Sequence, residues 1–238
     1  MGMGMTNGRI WCTRFLVSMV VVGMLGYLPV TAQATARAGV FVTETAVWDE
    51  LFFAIPKRRI VGIVQNMTAK TVAVTVRVVG RSSTGTIVKP VQTTTTLPMQ
   101  IAAGASAPFT VLMEPAATYA YTTQLSAPLH PILLLPAAAV VQDAATGTIA
   151  VQITNPKTDA SSAWGVTLVA RSNDGRIIGI ATHVIMCSTP GHATWVGDLV
   201  LDPARSDGTP VASVAIFAYA YRMPLQPITE CATYAVTA

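Results

Sequence analysis

Apolar and polar positions alternate with period two over much of the chain. The clearest run is 72–79, where Val72, Val74, Val76 and Val78 interleave with Ala73, Thr75, Arg77 and Val79. Successive side chains of a strand point to opposite faces, so the first set shares one face of a sheet. Valine at each of those positions suits a pleated, half-buried surface. Residues 39–46 and 59–65 read as earlier strands, 66–70 as a turn, and Ser82-Ser83-Thr84-Gly85 as a turn back into 86–91. Residues 108–113 and 118–125 read as two further strands. The apolar stretch 48–55 ends at Pro56 and fits a short helix, a strand or a packed loop; the four threonines 93–96 fit a solvated strand or a loop.

The pattern is used twice. Stretch 60–88 returns as 148–178, each running strand, Asn-containing turn, alternating strand, polar Gly turn, apolar strand. Trp164, Val166, Leu168 and Ala170 repeat the inward set Val74, Val76, Val78 and Gly80. Arg171 matches Arg81 and Gly175 matches Gly85, both at a spacing of 90. Asn173-Asp174-Gly175 is a hairpin signal. Residues 177–186, 194–201 and 211–222 complete the second set, and Tyr219-Ala220-Tyr221 echoes Tyr119-Ala120-Tyr121. Pro128, Pro131 and Pro136 mark a stiff junction, with 132–135 as the opening strand of the second half. Many short strands with frequent turns predict an all-β protein of two tandem antiparallel β-sandwiches, 39–126 and 128–222, with a tail at 223–238.

Each half resembles the FxLYD-type domain, an immunoglobulin-like sandwich common in exported prokaryotic proteins. Val61-Gly62-Ile63-Val64-Gln65-Asn66 fits the start of its pattern, and Gly104 to Phe109 fits its end. In the second half the fits are Val151 to Asn155, Asn173-Asp174-Gly175, and Pro190-Gly191 to Trp195. The name-giving Leu-Tyr-Asp is replaced by Val78-Val79-Gly80 and Leu168-Val169-Ala170. The resemblance covers most of the chain after residue 34 and implies two tandem immunoglobulin-like sandwiches without catalytic residues.

Composition first raises the question of a membrane protein, because hydrophobic residues make up 52% and charged residues only 11%, against roughly 25% charged in ordinary soluble domains. The single candidate run, 15–28, has 14 residues, short of the roughly 20 that span hydrocarbon. Arg9 and Arg14 precede it and Ala32-Gln33-Ala34 follows it, the make-up of a signal peptide (1–34) cleaved after Ala34. An uncleaved anchor is the alternative. The mature chain then has no membrane span, and its destination is the cell envelope or the extracellular space. Removing Arg9 and Arg14 from the 15 basic residues leaves 13 against 11 acids. That balance, with Lys57-Arg58-Arg59 as the only basic cluster, argues against nucleic acid. Cys12 leaves with the signal, and the remaining Cys187 and Cys231 form an even pair that suggests one disulfide. Two free thiols are the alternative.

Candidate chemistry is sparse. Cys187-Ser188-Thr189-Pro190-Gly191-His192 resembles the Cys-x4-His copper loop of azurin-like cupredoxins. A blue site needs a second His and usually an axial Met; Val196 stands where the Met belongs, and His130 and His183 lack the spacing. The same segment corresponds to Gly104–Phe109 of the first half, where the glycine serves a turn, so no metal and no cofactor are expected. Ser188, His192 and Asp198 lie close in sequence, but there is no G-x-S-x-G and no H-E-x-x-H. Asp49-Glu50 and Asp198/Asp202 read as solvated carboxylates. No enzyme activity is expected. Asn66-Met67-Thr68 is a glycosylation sequon that matters only in a eukaryotic secretory pathway; Asn66 and Asn155 are read instead as caps of the same turn. Trp164 and Trp195 read as core, and Trp48, Phe52 and Phe53 as a binding patch if exposed. The low charge leaves sheet edges poorly protected. Adhesion, scaffolding or partner binding follows as the expected role, with another protein, another copy or the cell wall as partner.

Overall fold

A computed structural model of the protein describes residues 39–128, 133–158, 164–185, 189–201, 209–220 and 234–235. The leader 1–34, His130, Cys187, Ser188, Asp202 and Cys231 lie outside the described residues, and with them the expected disulfide. Among the described residues the regular structure is strand throughout. In the first half it comprises β1 (Val40–Phe52), β2 (Ile55–Asn66), β3 (Val72–Arg81), β4 (Ile87–Ile101), β5 (Ser106–Met113) and β6 (Thr118–Ser126). In the second it comprises β7 (Ala137–Asp143), β8 (Thr148–Thr154), β9 (Trp164–Arg171), β10 (Ile177–Ile185), β11 (Thr194–Val200), β12 (Ser213–Ala220) and the short β13 (Tyr234–Ala235). Among the described residues no helix is long and apolar enough to cross a membrane.

All strand pairs are antiparallel, and the two halves share one topology. Sheets β1-β2-β5 and β4-β3-β6 recur as β7-β8-β11 and β10-β9-β12, with β13 added beside β11. Each pair of sheets encloses an apolar core. Val40, Ile60, Val64, Val74, Val76, Val78, Phe109 and Tyr121 fill the first. Ile149, Val151, Ile153, Trp164, Val166, Leu168 and Ala170 fill the second, with Trp195 packed against it. The all-β sandwich fold expected from the alternation is therefore present, and both inward ladders point as expected.

A buried asparagine fastens the same corner in each half. The Asn66 amide donates to the carbonyls of Lys70, Ile101 and Ala102 at 2.8–3.0 Å, and its oxygen accepts from the Thr68 N–H and hydroxyl. Asn155 donates to the carbonyls of Thr189 and Pro190 and accepts from the Lys157 N–H. Both side chains are fully buried. Both asparagines thus cap the turn, as expected, and the Asn66 amide is used inside the fold. Gly62 is set by a close approach: a Cβ there would stand 2.4 Å from the Phe109 ring, which crosses the strand opposite it. Gly85 and Gly175 share a left-handed turn at φ +83° and +82°, and Arg81 and Arg171 each donate to that glycine's carbonyl.

Three expectations need correction. The strand expected at 132–135 is, over its described residues 133–135, an isolated bridge of Leu134 to Tyr219 at the edge of β12, and the first regular strand of the second half is β7. The Tyr-Ala-Tyr echo is not a structural equivalence. Tyr121 pairs with Val78, but Ile216 pairs with the equivalent Leu168, so Tyr219 lies at the opposite end of its sheet from Tyr119. Tyr119, near the start of β6, bonds through its hydroxyl to the backbone of Ala116 and Glu114, the tyrosine corner of many β-sandwiches. Finally, the turn residue matching Gly104 is His192 rather than Gly191. The N–H groups of Asn66 and Asn155 bond Ala105 and Ala193 respectively, and the residue before each has positive φ, 71° at Gly104 and 59° at His192.

A third apolar cluster joins the halves. Trp48, Val61 and Ile63 pack against Val169, Ile177 and Ile180, with Ala46, Ala215 and Phe217 at the margin. Arg171 closes this seam with a bidentate pair to Glu44 at 2.6 and 2.7 Å. That bond raises the guanidinium above its ordinary value. β9 is consequently buried on both faces. The seam depends on a bulge between Val42 and Glu44. It flips the alternation of β1, so that Val42 packs inward while Ala46 and Trp48 face the second half.

Candidate functional site

The β1–β2 hairpin runs past its own sheet. β5 stops pairing with β2 at Arg58, while β1 continues to pair through Glu50↔Lys57, Leu51↔Pro56 and Phe52↔Ile55. Three extra pairs at ~3.4 Å per residue carry the tip about 10 Å beyond β5.

The base of this projection is braced by charge. Arg58 donates to Asp49 at 2.8 Å, which raises the Arg58 guanidinium above its ordinary value, and it also donates to the Ala116 carbonyl at 2.6 Å. Arg59 grips Glu50 with two bonds at 2.5 and 2.8 Å. Lys57 pairs with Glu114 beyond the end of β5. The basic cluster is therefore neutralised by acids within the fold. Asp49 and Glu50 are its partners; Asp49 is solvent-exposed as expected, whereas Glu50 is half-buried by its pairing. Partly exposed pairs of this kind contribute little stability each, but together they hold the hairpin base in one orientation.

The tip is apolar. Leu51 is 72% exposed, Phe53 85%, Ile55 53% and Phe52 46%. The two phenyl rings meet edge to face with centroids 4.5 Å apart. The turn between the strands is Phe53-Ala54, with φ of 50° and 63°. A two-residue hairpin turn with both φ values positive strongly favours Asn-Gly, because a Cβ there is crowded. A non-glycine residue in that region loses roughly 1–2 kcal/mol. Phe-Ala at this turn is the least locally favourable choice in the hairpin.

Of the patch expected from sequence, Phe52 and Phe53 are exposed, but Trp48 is not. It is 6% exposed and belongs to the seam, because the bulge turns its face toward the second half. Leu51 and Ile55 were missed; their signal was the unbroken apolar run up to Pro56. Of the remaining candidate chemistry, His130, Cys187, Ser188 and Asp202 lie outside the described residues. The N–H of His192 donates to the Lys157 carbonyl in its turn. Among the described residues no group of three His, Cys, Asp or Glu side chains could hold a metal. A cleft of about 140 Å³ lies between Pro98, Gln100, Ile101, Leu134, Ile216 and Phe217, smaller than the ~300 Å³ at which ligand pockets begin. No protein-family model and no curated protein matches the chain. The molecule is, by its fold, an antiparallel β-sandwich protein whose most distinctive surface is an apolar hairpin tip.

Proposed function

We propose that the chain is an exported, non-enzymatic β-sandwich protein of the cell envelope or extracellular space that holds a partner protein through the β1–β2 hairpin tip. The observation that carries this is the turn itself. Phe53 and Ala54 occupy left-handed positions that Asn-Gly would fill more stably, and Phe53 is the most exposed large apolar side chain among the described residues. Local strain of this kind persists where the presented side chain has a use.

Magnitude narrows the role. Fully burying a Leu, Ile or Phe side chain yields roughly 1.5–3 kcal/mol, so covering four part-exposed ones yields about 4–8 kcal/mol. Association itself costs at least ~4 kcal/mol. The tip is therefore an anchor inside a larger contact, as expected for adhesion or scaffolding. Its bases are already paired with acids, so nothing at the tip favours an anionic lipid over a groove in a protein. Cleavage after Ala34, a Cys187–Cys231 disulfide and the FxLYD-type resemblance belong to the same proposal.

The test compares the native chain with Phe52→Thr/Phe53→Asn/Ala54→Gly, which removes the aromatics while supplying the preferred turn. After brief crosslinking of intact cells, the native chain carries a stoichiometric envelope protein that the variant lacks, although the variant is at least as stable. Equal capture by both would remove the tip from the function.

A further inference from the structure

Among the described residues β6 ends the sheet β4-β3-β6 with its outer edge unpaired. It pairs with β3 over nine consecutive positions, Ser126 to Thr118, without a register shift. It contains no charge, proline or glycine. Such an edge is a template for another strand, which natural sheets ordinarily blunt. The other edges here are blunted. β12 is covered by 133–135, through bonds from Leu135 N–H to Ala218 and from Ala220 N–H to Leu133. β11 carries β13. β5 contains Pro108, and β4 contains Pro90 and Pro98. β1, β7 and β10 carry register shifts.

We propose that β6 pairs antiparallel with β6 of a second copy, joining two β4-β3-β6 sheets into one across a twofold axis. The strand is self-complementary about Thr122. Centred there, Thr122 meets its counterpart, Ala120 lies opposite Gln124, and Tyr119 lies opposite Leu125. Ala120, Thr122 and Gln124 are exposed and neutral, so a copy meets no like charge. Tyr119 and Leu125 share the other face of the strand, and Leu125, 39% exposed in the single chain, gains cover from the opposing ring. A charged partner strand would find no complement here, whereas the strand's own copy matches it position by position. The contact is isologous and closes at two copies. Each dimer then presents two hairpin tips, which makes weak anchoring bivalent. The pairing itself does not depend on what the tips bind.

Sedimentation velocity of the full exported chain over a concentration series tests it. The native chain shows a monomer–dimer equilibrium. Ala120→Lys/Gln124→Lys places like charges opposite each other twice and lowers association about tenfold. Ala120→Lys/Gln124→Glu pairs opposite charges in the same register and restores it. Both positions are exposed, so thermal midpoints stay close to native in both variants. The Phe52→Thr/Phe53→Asn/Ala54→Gly chain dimerises like the native one. A monomer at every concentration overturns the proposal. So does a dimer indifferent to both charge variants, or one abolished by the tip variant.

Discussion

Asn66 is the most heavily bonded polar side chain in the first half, and its replacement separates two physical effects. The two N–H groups of its amide are shared among three carbonyls and its oxygen accepts two bonds, all contacts between 2.7 and 3.0 Å, from a fully buried position. These bonds join the turn after β2 to the end of β4. Asn66→Ala removes all five and leaves the buried Ile101 carbonyl without that donor. A net bond contributes roughly 0.5–1.5 kcal/mol and a stranded buried acceptor costs about 1–3. The Lys70 and Ala102 carbonyls can turn to water, so the expected loss is about 2–4 kcal/mol. With a urea slope of roughly 1–3 kcal/mol per molar, the midpoint falls by about 1–2 M. Asn66→Asp keeps the shape and the two accepted bonds but sets a carboxylate against three carbonyl oxygens. Burial and those dipoles raise the new carboxyl's pKa above the ordinary value of ~3.9. A raised carboxyl is no handicap below the unfolded value, and its penalty grows as pH rises through the folded one. The Asp variant is therefore less stable than the Ala variant at pH 7 and recovers toward pH 4. Urea titrations of both at pH 4 and 7 decide it. A loss under ~1 kcal/mol for Ala, or a pH-independent deficit for Asp, would refute the assigned bonding.

Other expected outcomes follow from the same contacts. Ala54→Gly relieves a left-handed Cβ and raises stability by about 1 kcal/mol, read from the urea midpoint. Trp48→Ala opens the seam and loses about 3 kcal/mol; Trp48→Phe loses far less, because the indole N–H has no acceptor among the described residues. Near-equal losses for the two substitutions would contradict the seam packing. The Asp174 carboxyl is held down to about 2, chiefly by the Ser172 hydroxyl and then by Arg176. A depressed carboxyl contributes stability above its unfolded value, lost as pH falls from about 4 through 2. A carboxyl-carbon NMR titration should place Asp174 below every unpaired aspartate, and Ser172→Ala should raise it.

Strand positions and inward ladders were legible because period-two alternation is a local property of the chain. The equivalence of Arg81 with Arg171, and of Gly85 with Gly175, was legible for the same reason: a tight turn dictates its own residues. What lay out of reach is non-local. The bulge between Val42 and Glu44 leaves no composition signal, yet it decides that Trp48 faces the second half rather than sharing the inward face of Val42. Burial of β9 on both faces depends on the seam, not on its own alternation. His192 in a left-handed turn runs against residue preference, so the adjacent Gly191 attracted the assignment instead. Glu50 misled in a similar way: it read as solvated, and Arg59 on the facing strand holds it in a half-buried pair. In the tip, composition revealed the phenylalanines, but only the φ values of Phe53 and Ala54 show that they stand where a turn would prefer others.

The most direct measurement is photo-crosslinking from position 53 in living cells, with position 122 on β6 as a control. A crosslinker at 53 should give one discrete adduct with a second, different protein, while one at 122 gives only adducts between copies of this chain. No protein adduct from 53, a lipid adduct alone, or the same adducts from both positions would contradict a partner protein held at the hairpin tip.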